Sequence, residues 1–286
     1  MQKSVQLSQG RITYGEVGEG PAVVLLHGLL VNGSLWRKVT PLLAEHARVI
    51  VPELPLGSHT TPMNPDADLS TYGLARLVAE LLEKLDLEDV TIAGVDTGGA
   101  LAQVVATEHP ERIGRLVLSS CDAFDNFPPA LFRGLLVAAK VPGALTVLGQ
   151  VARLKPLWRT PLGFGWLAKR PIDDAVIRSW LTPGRRPEIR RDVRKVLNTI
   201  TPEITQRAAE KLSRFDRPTL IAWAADDKVM PVEHAHRLGA LIPGARVELI
   251  ADSYTFTPED QPEALAKLIA SFVREQPAAP ATVEAS

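Results

Sequence analysis

The sequence predicts an α/β chain built on a mostly parallel central sheet with helices on both faces, and three observations carry that expectation. Short β-like runs alternate with helix-length amphipathic segments in the first and last parts of the chain. The apolar runs are too short for helices and several stop at glycine, as strands buried on both faces do. Between the two parts the alternation gives way to a long helical stretch, punctuated by Pro and Gly and without a convincing strand, which reads as an inserted cap.

In chain order, SVQLSQ and RITYGEVG, separated by a glycine, form an N-terminal hairpin. AVVLLHG at 22–28 is a buried strand, 34–46 is helical, and RVIVPEL is the next strand. Segment 70–87 carries Leu74, Leu77, Val78, Leu81, Leu82 and Leu85 at helical spacing. VTIAGV at 90–95 is a strand, a helix runs from about Thr97 to His109 where Pro110 stops it, and IGRLVLSS at 113–120 follows. The rhythm resumes with a strand in PTLIAWAADD (218–227), a helix at 233–241, a strand in ARVELIADS (245–253) and a helix from 258 to about 274. A core at 1–121 and 218–275, a helical cap at 122–217 and a disordered tail at 276–286 are expected.

With 286 residues, 45% hydrophobic and 23% charged, the chain can bury a full-sized core. A formal charge of -1 gives the whole molecule no pull toward nucleic acid or anionic membranes; binding to either would have to be local, and neither is an expected partner. The charge is unevenly spread, since the cap stretch 122–217 holds eighteen basic and nine acidic residues. Solvated basic faces such as GRRPEIRRDVRK (184–195) account for this more readily than a cationic lid drawing in an anionic or phenolate substrate. Cys121 has no partner for an internal disulfide, MQKSVQLSQG lacks an apolar signal segment, and no run approaches the ~20 residues of a membrane span, so a cytoplasmic protein is expected. No Cys pair, His-Glu-x-x-His or phosphate loop occurs, and GEVGEG (15–20) precedes Pro21 and a strand rather than opening a helix. Neither a metal nor a cofactor is therefore implied. The expected partner is a small molecule, with a homodimer left open.

Residues 93–100, AGVDTGGA, set a carboxylate among glycines directly after a strand. Ligands of parallel sheets bind at the carboxyl ends of strands, and Asp96 lies at such an end. Gly94, Gly98 and Gly99 suit a turn too tight for side chains, while the amides of the following helix favour an ionised group. A plain helix N-cap is the competing reading.

Four ordered segments resemble the α/β-hydrolase family over nearly the whole chain: LLHGLL (25–30), similar to its oxyanion-hole segment; GVDTGG, similar to its nucleophile elbow; WAADDKVMP (223–231), similar to its acid-bearing segment; and ADSYTFTPEDQPE (251–263), similar to its histidine loop. The resemblance implies that Asp96 stands where most members carry Ser, as in haloalkane dehalogenases and epoxide hydrolases. It implies oxyanion-hole amides from Leu29 and Thr97, and Asp227 as the triad acid, with Asp226, Asp122 and Asp125 as other candidates. The histidine position is held by Thr255, which cannot activate water near neutral pH. Of the six histidines, His27 lies in the oxyanion segment, His46 and His109 at helix ends, and His234 and His236 on one helix; His59 alone sits on a loop at the active-site edge.

Further departures narrow the chemistry. Thr97 and Leu29 replace the Trp and Asn that hold halide in the dehalogenases, and Tyr14, Tyr72 and Tyr254 all lie outside the cap, where epoxide hydrolases keep theirs. The leading expectation is an atypical enzyme in which Asp96 works as acid or base beside an oxyanion hole, with Tyr254 and Thr255 at the site, in addition, elimination, cyclisation or decarboxylation. The alternatives are an Asp-nucleophile hydrolase with a relocated base, His59 included, and a non-catalytic binding protein. His27, Trp158, Trp166 and Trp180 are the candidate substrate-binding residues, for a largely apolar or aromatic ligand.

Overall fold

The computed structural model describes residues 2–275; the tail expected at 276–286 lies outside them. Eight strands form one sheet: β1 (Gln2–Leu7), β2 (Gly10–Val17), β3 (Ala22–Leu26), β4 (Arg48–Pro52), β5 (Val90–Asp96), β6 (Ile113–Cys121), β7 (Thr219–Ala224) and β8 (Arg246–Ile250). Their spatial order is β1-β2-β4-β3-β5-β6-β7-β8. The expected hairpin is present, with β1 antiparallel to β2 and β2 antiparallel to β4; every later pairing is parallel.

Burial follows composition. All residues of β5 and β7 are buried, while β1 and β8 at the edges carry exposed positions. From β3 the chain moves first to β4 on one side and then to β5 on the other. The connections therefore diverge between β3 and β5, and the crevice beyond the carboxyl ends of those strands is where sheets of this kind bind ligands.

Helices cover the sheet as the periodicity predicts. The helix Thr71–Lys84 starts at Ser70, whose hydroxyl accepts from the Gly73 amide at 3.1 Å, and buries Leu74, Leu77, Val78, Leu81 and Leu82. The expected helix at 34–46 is instead a 3-10 turn, Gly33–Trp36, followed by a single turn, Thr40–Leu43. Pro41, having no amide, cannot continue the ladder. Likewise the last helix is split into Thr257–Asp260 and Pro262–Arg274, with the break at Pro262.

Between β6 and β7 the described chain holds helices and loops only: Arg133–Lys140, Ala144–Val151, Lys155–Trp158, Asp174–Leu181, Pro187–Leu197 and Pro202–Leu212 are its α-helices. The last of these packs on the helix Thr97–Glu108 and is tied to it by the Lys211–Glu108 ion pair at 2.8 Å. It thus lies against a helix of the sheet layer. None of the described helices is long and apolar enough to cross a membrane.

Candidate active site

Asp96 ends β5 and precedes the helix Thr97–Glu108 with φ 55° and ψ -134°. A non-glycine residue holds such a backbone only when its surroundings enforce it, and such residues cluster at functional sites. The enforcement is steric closure on three sides. A Cβ on Gly94 would lie 2.2 Å from the Gly98 carbonyl oxygen, one on Gly98 2.3 Å from that of Leu26, and one on Gly28 2.0 Å from Asp96 Oδ2. Glycine at 28, 94 and 98 therefore lets β3, the bend and the helix close around one carboxyl group. The Asp96 side chain makes no helix-capping hydrogen bond, so the N-cap reading does not account for it.

Gly99 and Cys121 complete the bend. A Cβ on Gly99 would lie 2.2 Å from that of Cys121, whose thiol is fully buried and pushed up by burial. Gln103 Nε2 reaches Cys121 Sγ at 3.7 Å and the Asp122 carbonyl at 2.8 Å, joining helix to strand end.

Three buried carboxyl groups meet here. Burial pushes Asp96 up to about 7, and the charge of Asp227 adds to this, while the main-chain amides of Thr97 and Leu29 pull it down. The two amides expected to form an oxyanion hole thus face the Asp96 carboxylate itself. Asp122 is raised by burial and by the charge of Asp96, against the Thr97 hydroxyl, which donates to its Oδ2 at 3.1 Å; its Oδ1 has no hydrogen-bond partner among the described residues. Asp227 is raised by burial, against the amides of Met230 and Val229, each donating to Oδ1 at 2.8 Å. Asp227 Oδ2 has no hydrogen-bond partner among the described residues.

The candidate acids separate by environment. Thr255, fully buried, donates its hydroxyl to Asp227 Oδ1 at 2.8 Å, so the structure brings these two expected site residues into contact. Asp226 is exposed and pairs with Lys169 at 2.7 Å, and Asp125 is exposed near Arg237 at 3.9 Å.

No histidine is among the groups that perturb Asp96. His59 is buried, but its Nε2 lies 3.2 Å from Asp192 of the cap and its Nδ1 accepts from the Gly57 amide at 3.4 Å. Its role is to join loop and cap, which corrects its candidacy as a relocated base. His27 accepts the Leu54 amide at Nε2 (2.9 Å) and therefore donates from Nδ1 to the Gly28 carbonyl (2.9 Å). Burial pushes its pKa down to about 4. Neutral and bonded on both nitrogens, His27 shapes the Gly28–Leu29 turn and has no free nitrogen for a substrate.

The other candidates are scattered. Tyr254 lies between two ammonium groups, with Lys169 Nζ 5.7 Å and Lys228 Nζ 5.6 Å from its ring centre. Trp180 is buried, donates to Ser34 Oγ at 2.8 Å, and packs on Phe164 and Phe256 with ring centres 5.2 and 6.0 Å away. Trp158 donates to the Ala152 carbonyl at 2.7 Å, and Trp166 is 43% exposed. A cleft of about 400 Å³ lies in the cap, lined by Trp158, Phe164 and Arg159 among others, and Asp96 is not part of its wall. Of the three tryptophans expected to bind substrate, Trp180 alone joins an aromatic cluster with Phe164 and Phe256, in which the residue after Thr255 meets the helices between β6 and β7. Among the described residues, no group of His, Cys, Asp and Glu is gathered to hold a metal.

Two contributors escaped the sequence reading. Gly28 makes room for Asp96 Oδ2, and its signal was a glycine closing an apolar run opposite the bend. Asp260 accepts the amides of Lys169 (2.8 Å), Arg170 (2.8 Å) and Tyr254 (3.0 Å), linking cap to loop; no local pattern announces it.

Known proteins share this fold. The α/β hydrolase fold family matches residues 21–262. An uncharacterized protein of Mycobacterium tuberculosis is 30% identical over 268 residues, covering 90% of this chain and 76% of its own. The 2-hydroxy-6-oxo-6-phenylhexa-2,4-dienoate hydrolase of Burkholderia cepacia is 25% identical, covering 93% and 92%. Among solved structures, an epoxide hydrolase superposes with a TM-score of 0.80 at 20% identity, covering 95% of this chain and 98% of its own. The sheet order, the bend after β5 and the extent of the family match together place this chain in the α/β hydrolase fold family.

Proposed function

We propose that this protein is an enzyme acting on a small, largely apolar or aromatic organic molecule, with Asp96 transferring a proton in a reaction that does not consume water. One observation carries the reading: Asp96 is buried with its pKa up to about 7, and Asp227 beside it is engaged by the Thr255 hydroxyl, which cannot serve as the base that activates water. A carboxyl group poised near neutral pH exists in both protonation states and serves as acid or base. The Leu29 and Thr97 amides then tune the acid rather than wait for a substrate oxygen, which shifts their role from the one the family resemblance implies.

A second reading has its own support. The same two amides would hold the carbonyl oxygen of an ester formed if Asp96 attacked carbon, as a nucleophile at this bend does. The named relatives bear on the substrate: one hydrolyses, by its name, a 2-hydroxy-6-oxo dienoate, and one an epoxide. An oxo-dienoate offers both an enolisable carbonyl for proton transfer and an extended apolar body.

Incubation with 2-hydroxy-6-oxo-6-phenylhexa-2,4-dienoate and with epoxides, in deuterated and in oxygen-18 water, separates the readings. Proton transfer predicts hydrogen exchange or rearrangement without oxygen-18 uptake, and loss of at least about a hundredfold in Asp96→Asn. A stable mass increase on intact protein, absent in Asp96→Asn, would establish attack on carbon instead.

A further inference from the structure

We propose that the cap face built from residues 133–166 docks on an anionic phospholipid surface. From 126 to 172 the chain carries seven basic residues and no acidic one, and all seven are exposed. In the same stretch lie eight of the ten large apolar side chains exposed among the described residues, including Val137 (65%), Val147 (62%) and Leu162 (80%). So many exposed apolar groups in one short stretch mark an interaction site.

The helix Ala144–Val151 shows the pattern in detail. Val147, Leu148 and Val151, with Leu154 in the turn that follows, fall at i, i+1, i+4 and i+7, one face of a helix, and all are exposed. Leu145, on the opposite face, is buried. An apolar stripe turned to water with flanking cations is the pattern of helices that lie in a membrane interface.

Charge selects the occupant. Lys155, Lys169 and Arg170 have carboxylate partners, but Arg133, Lys140, Arg153 and Arg159 form no ion pair among the described residues. A second copy packing through the same face would set like charge against like. A nucleic acid would meet the cations but leave the valines and leucines unsatisfied. An anionic bilayer satisfies both, with headgroups beside the basic side chains and acyl chains beneath the apolar ones. The total charge of -1 averages this face away. The face also adjoins the candidate site, since the Phe256 amide donates to the Leu167 carbonyl at 2.6 Å, directly beside Thr255.

Co-sedimentation of the full chain with vesicles of phosphatidylcholine, alone or mixed with phosphatidylglycerol, tests this. Binding is expected to the mixed vesicles only and to fall with added salt. Val147→Glu with Leu154→Glu should weaken it at least about tenfold, and Arg133→Gln and Arg153→Gln about fivefold each, without changing the circular dichroism melt. No binding to the mixed vesicles, or binding unchanged in both sets of variants, overturns the proposal. So does a dimer, seen by light scattering, that the double glutamate variant dissolves.

Discussion

Asp96 combines a strained backbone, φ 55° and ψ -134°, with a carboxyl group whose pKa burial lifts from near 4 to about 7. Both features oppose folding, and the second depends on pH. Between about pH 4 and about pH 7 the unfolded chain has released this proton while the native carboxyl retains it, so stability falls as pH rises through that window. Asp122 and Asp227, also raised, act in the same direction. Asp96→Asn removes the ionisation, and its melting temperature should exceed that of the parent at pH 8, with the gain shrinking toward pH 4. An equal shift at both values in a melting series would contradict the assigned protonation. The residue was legible because glycine spacing after an apolar strand is a local signal. The raised pKa was not, since it arises first from burial, which the packing of the whole fold decides, and then from the charge of Asp227, which is remote in sequence.

The helices between β6 and β7 are tied to the rest of the fold by two buried aspartates that accept hydrogen bonds from main-chain amides, Asp260 from three and Asp192 from one. Asp260 gathers three amides from residues 169–170 and from the loop that carries Thr255, and Asp192 receives the Met63 amide at 2.9 Å together with His59 and Arg191. Removing such an acceptor leaves buried donors unpaired, at about 1–3 kcal/mol per group. Asp260→Ala should therefore destabilise the protein by about 2–4 kcal/mol in urea unfolding, and proteolysis should then begin near 169–170. Cleavage confined to other loops would show that Asp260 does not hold this join. The strands and most helices outside 122–217 are legible in the sequence to within a few residues because period and punctuation are local. The exceptions lie at Pro41 and Pro262, where helical apolar spacing runs on past a residue that has no amide. Cap contacts such as Asp192 with His59 span the chain and leave no periodic trace.

Across the molecule, the divergence of connections between β3 and β5 explains why residues from 28, 96, 122, 227 and 255 converge on one rim of the sheet. That convergence was readable from four ordered motifs, whereas the separation of the cap cleft from Asp96 was not, because helix packing decides it. The contact between Gly99 and Cys121 carries one more consequence. The chain's only thiol is sealed between a helix and a strand end in the middle of the sheet, so no alkylating dye can reach it until those layers part. Labelling in native buffer should proceed at the rate of global opening, and a fast phase would signal a second, loosened form. The fold thus contains its own clock, a single sulfur that reads out how often the whole sheet comes apart.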